Sequence, residues 1–127
     1  MSSVVLDASA VLALLNAEPG CEQVEAALPG ASISAVNLAE VVGKLADKGM
    51  PGKAARDAVL GLGLDVRPFD VEDAFDVAAL RAGTRDAGLS LGDRACLALG
   101  ARLARPIVTA DREWKKLKLD VRVQVVR

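Results

Sequence analysis

Apolar residues recur along the chain in two rhythms. Short aliphatic runs at Val4–Leu6, Ala31–Ser34, Leu64–Pro68, Ile107–Thr109 and Val121–Val125 predict strands. Between them, apolar positions return at helical spacing over Ala8–Leu15, Cys21–Leu28, Val36–Lys48, Gly52–Leu62, Val71–Ala87 and Ser90–Leu103, with a short helix at Arg112–Leu117. Pro19-Gly20, Pro29-Gly30, Gly49, Pro51, Gly61, Gly63 and Gly88 punctuate these segments. Strands alternating with helices predict an α/β three-layer sandwich with a mainly parallel central sheet of about five strands. A chain of 127 residues fits one such domain over residues 1–127, with enough core to fold alone.

Composition narrows the chemistry. The chain has no histidine, which excludes Ser-His, Cys-His and zinc-histidine sites. Cys21 and Cys96 show neither metal-ligand spacing nor a disulfide framework, and Cys96 among Ala95, Leu97 and Ala98 reads as a small buried hydrophobe. No apolar stretch approaches the ~20 residues that span a bilayer. The start, Met1-Ser2-Ser3-Val4, lacks the basic region and apolar segment of a signal peptide, so a cytoplasmic protein is expected.

Charge is unevenly spread. Residues 1–80 carry 5 basic and 12 acidic side chains, whereas residues 81–127 carry 11 and 5. The second half therefore suits an anionic partner, although solvated helix faces also account for such a pattern. Arg102, Arg105, Arg112, Lys115, Lys116 and Lys118 are close enough in sequence to form one basic surface.

Four acids fall where a parallel sheet would gather them. Asp7 ends the first strand, Glu40 lies in the helix after the second, Asp93 opens the helix before Ile107–Thr109, and Asp111 follows that strand. Open α/β sheets bind ligands beyond the carboxyl ends of their strands. Carboxylates collected there, without histidine, suit a hard divalent cation.

Each acid also has a structural reading. Asp7 could cap the following helix, but Ser9 could cap it equally and leave Asp7 free. Ser90 and Asp93 have the spacing of a capping box. Asp111 could cap Arg112–Leu117. On a helical wheel, Glu40 falls with Asn37, Lys44 and Asp47, opposite Leu38, Val42 and Leu45, so a solvent-side Glu40–Lys44 pair would explain it. Asp70, with Glu72 and Asp73, is a rival acidic group that reads as the cap and first turn of Val71–Ala87. The joint placement of the four acids is what points to a site.

These motifs resemble those of the PIN-domain nucleases, most closely the VapC-type toxins of prokaryotic toxin–antitoxin pairs. Val4-Val5-Leu6-Asp7-Ala8-Ser9-Ala10 resembles the opening strand, acid and hydroxyl; Asn37-Leu38-Ala39-Glu40-Val41 the second acidic motif; Leu89-Ser90-Leu91-Gly92-Asp93 the third; and Val108-Thr109-Ala110-Asp111-Arg112-Glu113-Trp114 the fourth. The resemblance runs nearly end to end, in matching order. It implies a PIN-like fold and cleavage of single-stranded or loop RNA with one or two Mg²⁺ (or Mn²⁺) ions. It carries the catalytic and metal-binding roles onto Asp7, Glu40, Asp93 and Asp111, with Ser9, Asn37 and Thr109 supporting them. Arg94, Arg112, Lys115 and Lys116 are candidate contacts to the RNA backbone. The implied partners are a small antitoxin in the active-site groove and a second copy in a homodimer; Val36–Lys48 and Val71–Ala87 could supply its interface or could equally pack on the sheet.

Two other classes compete. A catalytically silent module would keep the fold and bind RNA or protein without cutting. A phosphoacceptor receiver domain would need an acidic pair after the first strand and a lysine late in the sheet; Asp7 stands alone, and Ile107–Thr109 ends without lysine.

Overall fold

A computed structural model describes residues 3–127; Met1 and Ser2, where the absence of a leader was read, lie outside them. The strands are β1 (Val5–Leu6), β2 (Ser32–Ser34), β3 (Asp65–Arg67), β4 (Ile107–Thr109) and β5 (Val123–Val125). They form one sheet in the order β3-β2-β1-β4-β5. Every neighbouring pair is parallel, so the sheet is wholly rather than mainly parallel. The helices are α1 (Ala8–Leu15), α2 (Cys21–Ala27), α3 (Ala35–Asp47), α4 (Gly52–Leu60), α5 (Val71–Thr84) and α6 (Leu91–Leu103).

Side-chain alternation along the central strands creates three layers. Val5 and Ile107 join Cys96, Leu97, Leu99 and Trp114 on one face. Their neighbours Leu6 and Val108 face the other way, into a cluster with Val11, Val24, Ile33 and Val41. A sheet buried on both faces needs helices on both, which explains the continuous apolar runs of β1 and β4. Cys96 is fully buried, as its neighbours in sequence suggest.

Strand order reverses at the middle of the sheet. From β1 the chain proceeds to β2 and β3 on one side, and later adds β4 and β5 on the other. The carboxyl ends of β1 and β4 therefore border the crevice where α/β folds place their ligands. Asp7 directly follows β1, and Asp111 stands two residues beyond β4.

Helices α5 and α6 form an antiparallel hairpin pinned at both ends. Arg102 near the end of α6 pairs with Asp73 at the start of α5, at 2.6 Å. At the opposite end Arg94 donates to the Thr84 hydroxyl at 3.0 Å and to its carbonyl at 3.3 Å. These bonds help end α5 at Thr84, three residues short of the predicted Ala87. The chain continues through a 3-10 turn, Arg85–Ala87, and a left-handed Gly88. Arg112–Leu117, predicted as a short helix, is likewise a 3-10 segment, over Arg112–Lys116, with the indole of Trp114 buried.

Candidate active site

Asp7 is the most enclosed of the four acids, at 4% exposure. Its Oδ1 accepts the Ala10 N–H at 2.9 Å and the Ser9 hydroxyl at 2.8 Å, while Oδ2 accepts the Thr109 hydroxyl at 2.5 Å. The cap of α1 is thus Asp7 and not Ser9, correcting the expectation that Ser9 would leave Asp7 free. The Ser9 hydroxyl is drawn instead toward β4, where it accepts the Ala110 N–H at 2.9 Å. Thr109 accepts the Asp111 N–H in the same way, at 3.1 Å. Two hydroxyls therefore stitch the loop after β1 to the loop after β4. Capping and site-building coexist in Asp7.

Burial dominates the titration of Asp7. Desolvation pushes its carboxyl up to about 6, against the opposing pull of the Thr109, Ala10 and Ser9 hydrogen bonds, and the charge of Asp93 adds to the rise. The Cys96 thiol beneath the site is pushed up mainly by its own burial, with further contributions from Asp7, Asp93 and Glu40. Those three carboxylates thus share one electrostatic neighbourhood.

Glu40 stands elsewhere than the helical wheel implied. Asn37 is 1% exposed and joins Val41 and Leu45 on the buried side of α3. Its amide donates to Glu40 Oε1 at 2.9 Å and to the Gly92 carbonyl at 3.0 Å. The wheel assumed a single apolar partner, whereas α3 packs against both the core and the first turn of α6. The expected Glu40–Lys44 pair does not form among the described residues. A Cβ at position 92 would overlap the Glu40 carboxylate, so the glycine is what admits the acid there. Sequence reasoning missed Gly92; a glycine beside an acid in a helical first turn was the available signal.

Asp93 and Asp111 each keep the capping role read from sequence. Asp93 accepts the Ser90 N–H while its own N–H donates to the Ser90 hydroxyl, completing a capping box on α6. Asp111 accepts the Glu113 N–H at 2.9 Å. The rival acids Asp70 and Asp73 form the capping box of α5, remote from this network. Every one of the four candidate acids is held at a defined backbone position.

Cations leave the acids unneutralised. Among the described residues no lysine or arginine pairs with Asp7, Glu40, Asp93 or Asp111. Arg94, offered as an RNA contact, is engaged by Thr84. The single basic surface anticipated from sequence is divided: Arg102 binds Asp73 and Arg105 donates to the Ser32 hydroxyl, whereas Arg112, Lys115 and Lys116 lie exposed beside Asp111.

A hard cation fits this donor set. All the first-choice donors are oxygens, and the buried Asn37 Oδ1 has no hydrogen-bond partner. Among the described residues no three acidic or cysteine side chains are close enough to cage an ion as they stand. Mg²⁺ retains several waters and uses few carboxylates directly, so an open arrangement suits it better than a closed cage.

The chain belongs to the PIN-domain family, whose family model matches residues 4–119. Solved structures with the same fold include the DNA-bound VapBC of Salmonella typhimurium, 19% identical over all of both chains with a TM-score of 0.75. FitAcB from Neisseria gonorrhoeae is 23% identical, covering 94% of this chain and 95% of that one with a TM-score of 0.67. VapBC-5 from Mycobacterium tuberculosis is 21% identical over 100% and 99%, with a TM-score of 0.63. No curated protein matches the sequence at a significant level. No helix among the described residues is long and apolar enough to cross a membrane.

Proposed function

We propose that the chain is a Mg²⁺- or Mn²⁺-dependent endoribonuclease that acts as the toxin of a type II toxin–antitoxin pair on single-stranded or loop RNA. One observation carries the proposal: Asp7 is buried at the carboxyl end of β1, the Asp93 charge adds to the rise in its titration, and among the described residues no lysine or arginine pairs with it. A buried carboxylate without a counter-charge is costly unless something else supplies one.

Asp7, Glu40, Asp93 and Asp111 would hold the ion, which supplies Lewis-acid activation of water and charge stabilisation at the phosphate. Ser9 and Thr109 orient Asp7 from two sides, so its carboxylate cannot rotate away. Asn37 does the same for Glu40, and the Glu113 N–H fixes Asp111. The exposed Arg112, Lys115 and Lys116 attract the phosphate backbone, making affinity fall with salt. An antitoxin would shut the site by presenting a basic side chain to the unpaired acids; the likeness in fold to VapBC and FitAB structures supports such a partner. Val71 and Phe75, 70% and 67% exposed one turn apart on α5, support a homodimer through that helix.

Incubation with total cellular RNA tests the enzyme directly. Wild type should yield discrete fragments with Mg²⁺ or Mn²⁺ and none with EDTA, while Asp7→Ala yields none in any condition. A silent binding module is the second reading, favoured by the lack of a preformed cage among the described residues. RNA bound but uncut in every metal would establish it.

A further inference from the structure

A cleft of about 500 Å³ opens between the end of the α5–α6 hairpin and the segment after β4. One wall is Gly83–Ala87, and the other is Glu113 with Lys116–Leu119. Both walls are tied to the candidate active site. Thr84 on the first wall is bonded by Arg94, the residue after Asp93. Glu113 on the second donates its N–H to Asp111. Each wall of the cleft is thus hydrogen-bonded to a segment that carries one of the four acids, Asp93 on the first side and Asp111 on the second.

Its charges are arranged for a polyanion. Arg85, Lys116 and Lys118 line it, together with Asp86 and Glu113. Lys116 neutralises Glu113 at 3.0 Å, which leaves Asp86 as the sole opposing charge on the walls. The Arg85 and Lys118 side chains make no hydrogen bond or ion pair among the described residues, whereas those of Arg94, Arg102, Arg105 and Arg127 are all engaged by the protein. Arg112 and Lys115 extend the positive field from the same 3-10 segment.

We infer that this cleft is the run-out channel for the RNA strand beside the scissile bond, with Arg85 and Lys118 gripping its phosphates. The inference rests on the proposed ribonuclease activity and adds a direction to it: the strand leaves the acids toward the α5–α6 turn. Arg85 comes from the first wall and Lys118 from the second, so a strand lying between them is held from both sides. Its bases are left free, which fits backbone capture without a fixed sequence in this channel.

The test uses full-length protein carrying Asp7→Asn, which prevents cleavage, and a fluorescein-labelled single-stranded RNA followed by anisotropy across a KCl series. Adding Arg85→Ala with Lys118→Ala should weaken binding about ten-fold and flatten the log–log salt slope by about 1.4, at ~0.7 for each lost single-strand phosphate contact. Arg85→Lys with Lys118→Arg should restore both. Arg122→Ala, which removes an exposed cation at the far end of β5, should change neither. Both lining side chains are exposed, so the variants should melt normally, which circular dichroism checks. An unchanged affinity and slope in the double variant, or an equal loss in Arg122→Ala, overturns the channel while RNA binding stands. Absence of RNA binding by the parent protein overturns the ribonuclease proposal and the channel together.

Discussion

At the scale of single residues, Asp7 carries opposed duties. It caps α1, accepts three hydrogen bonds and yet sits so deep that its ionised form is disfavoured. A carboxyl near 6 in the folded chain and near 3.8 when unfolded holds its proton more tightly in the fold. Stability is therefore highest below about pH 4 for this group, declines as pH rises between those values, and stays lower above 6. The full penalty is about 3 kcal/mol at neutral pH, from ~1.4 kcal/mol per pH unit. Asp65 and Asp70 titrate low, so their loss begins only on stronger acidification. Metal-free protein should thus be about 1 kcal/mol more stable at pH 5 than at pH 7.5 by urea denaturation. Asp7→Asn keeps a capping oxygen while removing the charge. It should abolish that pH difference and raise the neutral-pH melting temperature in EDTA, even as it abolishes cleavage. A variant less stable than wild type in EDTA would show that the buried charge is not the burden described.

Asn37 is the second informative residue. Its forked amide joins α3 to α6 and orients Glu40 at the same time. Asn37→Ala leaves the Gly92 carbonyl without that donor and frees the Glu40 carboxylate. A cost of about 1–3 kcal/mol in urea denaturation follows from an unpaired buried group. Cleavage should fall further than that stability loss explains, measured well below the melting temperature.

At the scale of elements, close contacts to glycine set how α6 docks. A Cβ at Gly100 would lie 2.9 Å from the Ile107 side chain and 3.3 Å from the Arg105 carbonyl. Gly100→Ala gains helix propensity but must push α6 off β4, and a net loss of about 1–3 kcal/mol is expected by thermal or urea denaturation. Gly92→Ala should act differently, displacing Glu40 and reducing cleavage more than stability.

The elements were largely legible beforehand because their apolar rhythms are strong. Errors gathered where tertiary contacts overrode local pattern. The Arg94 bonds to Thr84 help end α5 early, and Trp114 burial fixes a 3-10 segment rather than a regular helix. Asp7 and Asp111 could be placed from strand ends and Glu40 and Asp93 from the helices that carry them, but the inward position of Asn37 could not, because a helical wheel does not know that α3 has two neighbours. Nor could the wheel or spacing reveal that Ser9 reaches across to the loop after β4.

At the scale of the whole molecule, the unpaired acids predict a metal-dependent fold stability. An ion that binds only the native state adds RT ln(1 + [L]/Kd), or about 2.7 kcal/mol at a hundred-fold excess over Kd. Mg²⁺ or Mn²⁺ should raise the melting temperature of wild type, and Asp93→Asn should shrink the shift. Equal shifts in the two proteins would detach Asp93 from the metal.

The stitch between Thr109 and Asp7 spans 102 positions of sequence, joining one of the first strands made to one of the last. Such a closure is expensive in chain entropy and slow, because nothing local rewards it until β4 settles beside β1. Function in this molecule therefore arrives late and all at once. A chain still emerging from synthesis has Asp7 and the Ser9 hydroxyl but neither the Thr109 hydroxyl that holds the other carboxylate oxygen nor Asp111. On the proposed function, the blade is assembled only after nearly the whole tool has been made, and the unfinished polypeptide is harmless to the RNA that encodes it.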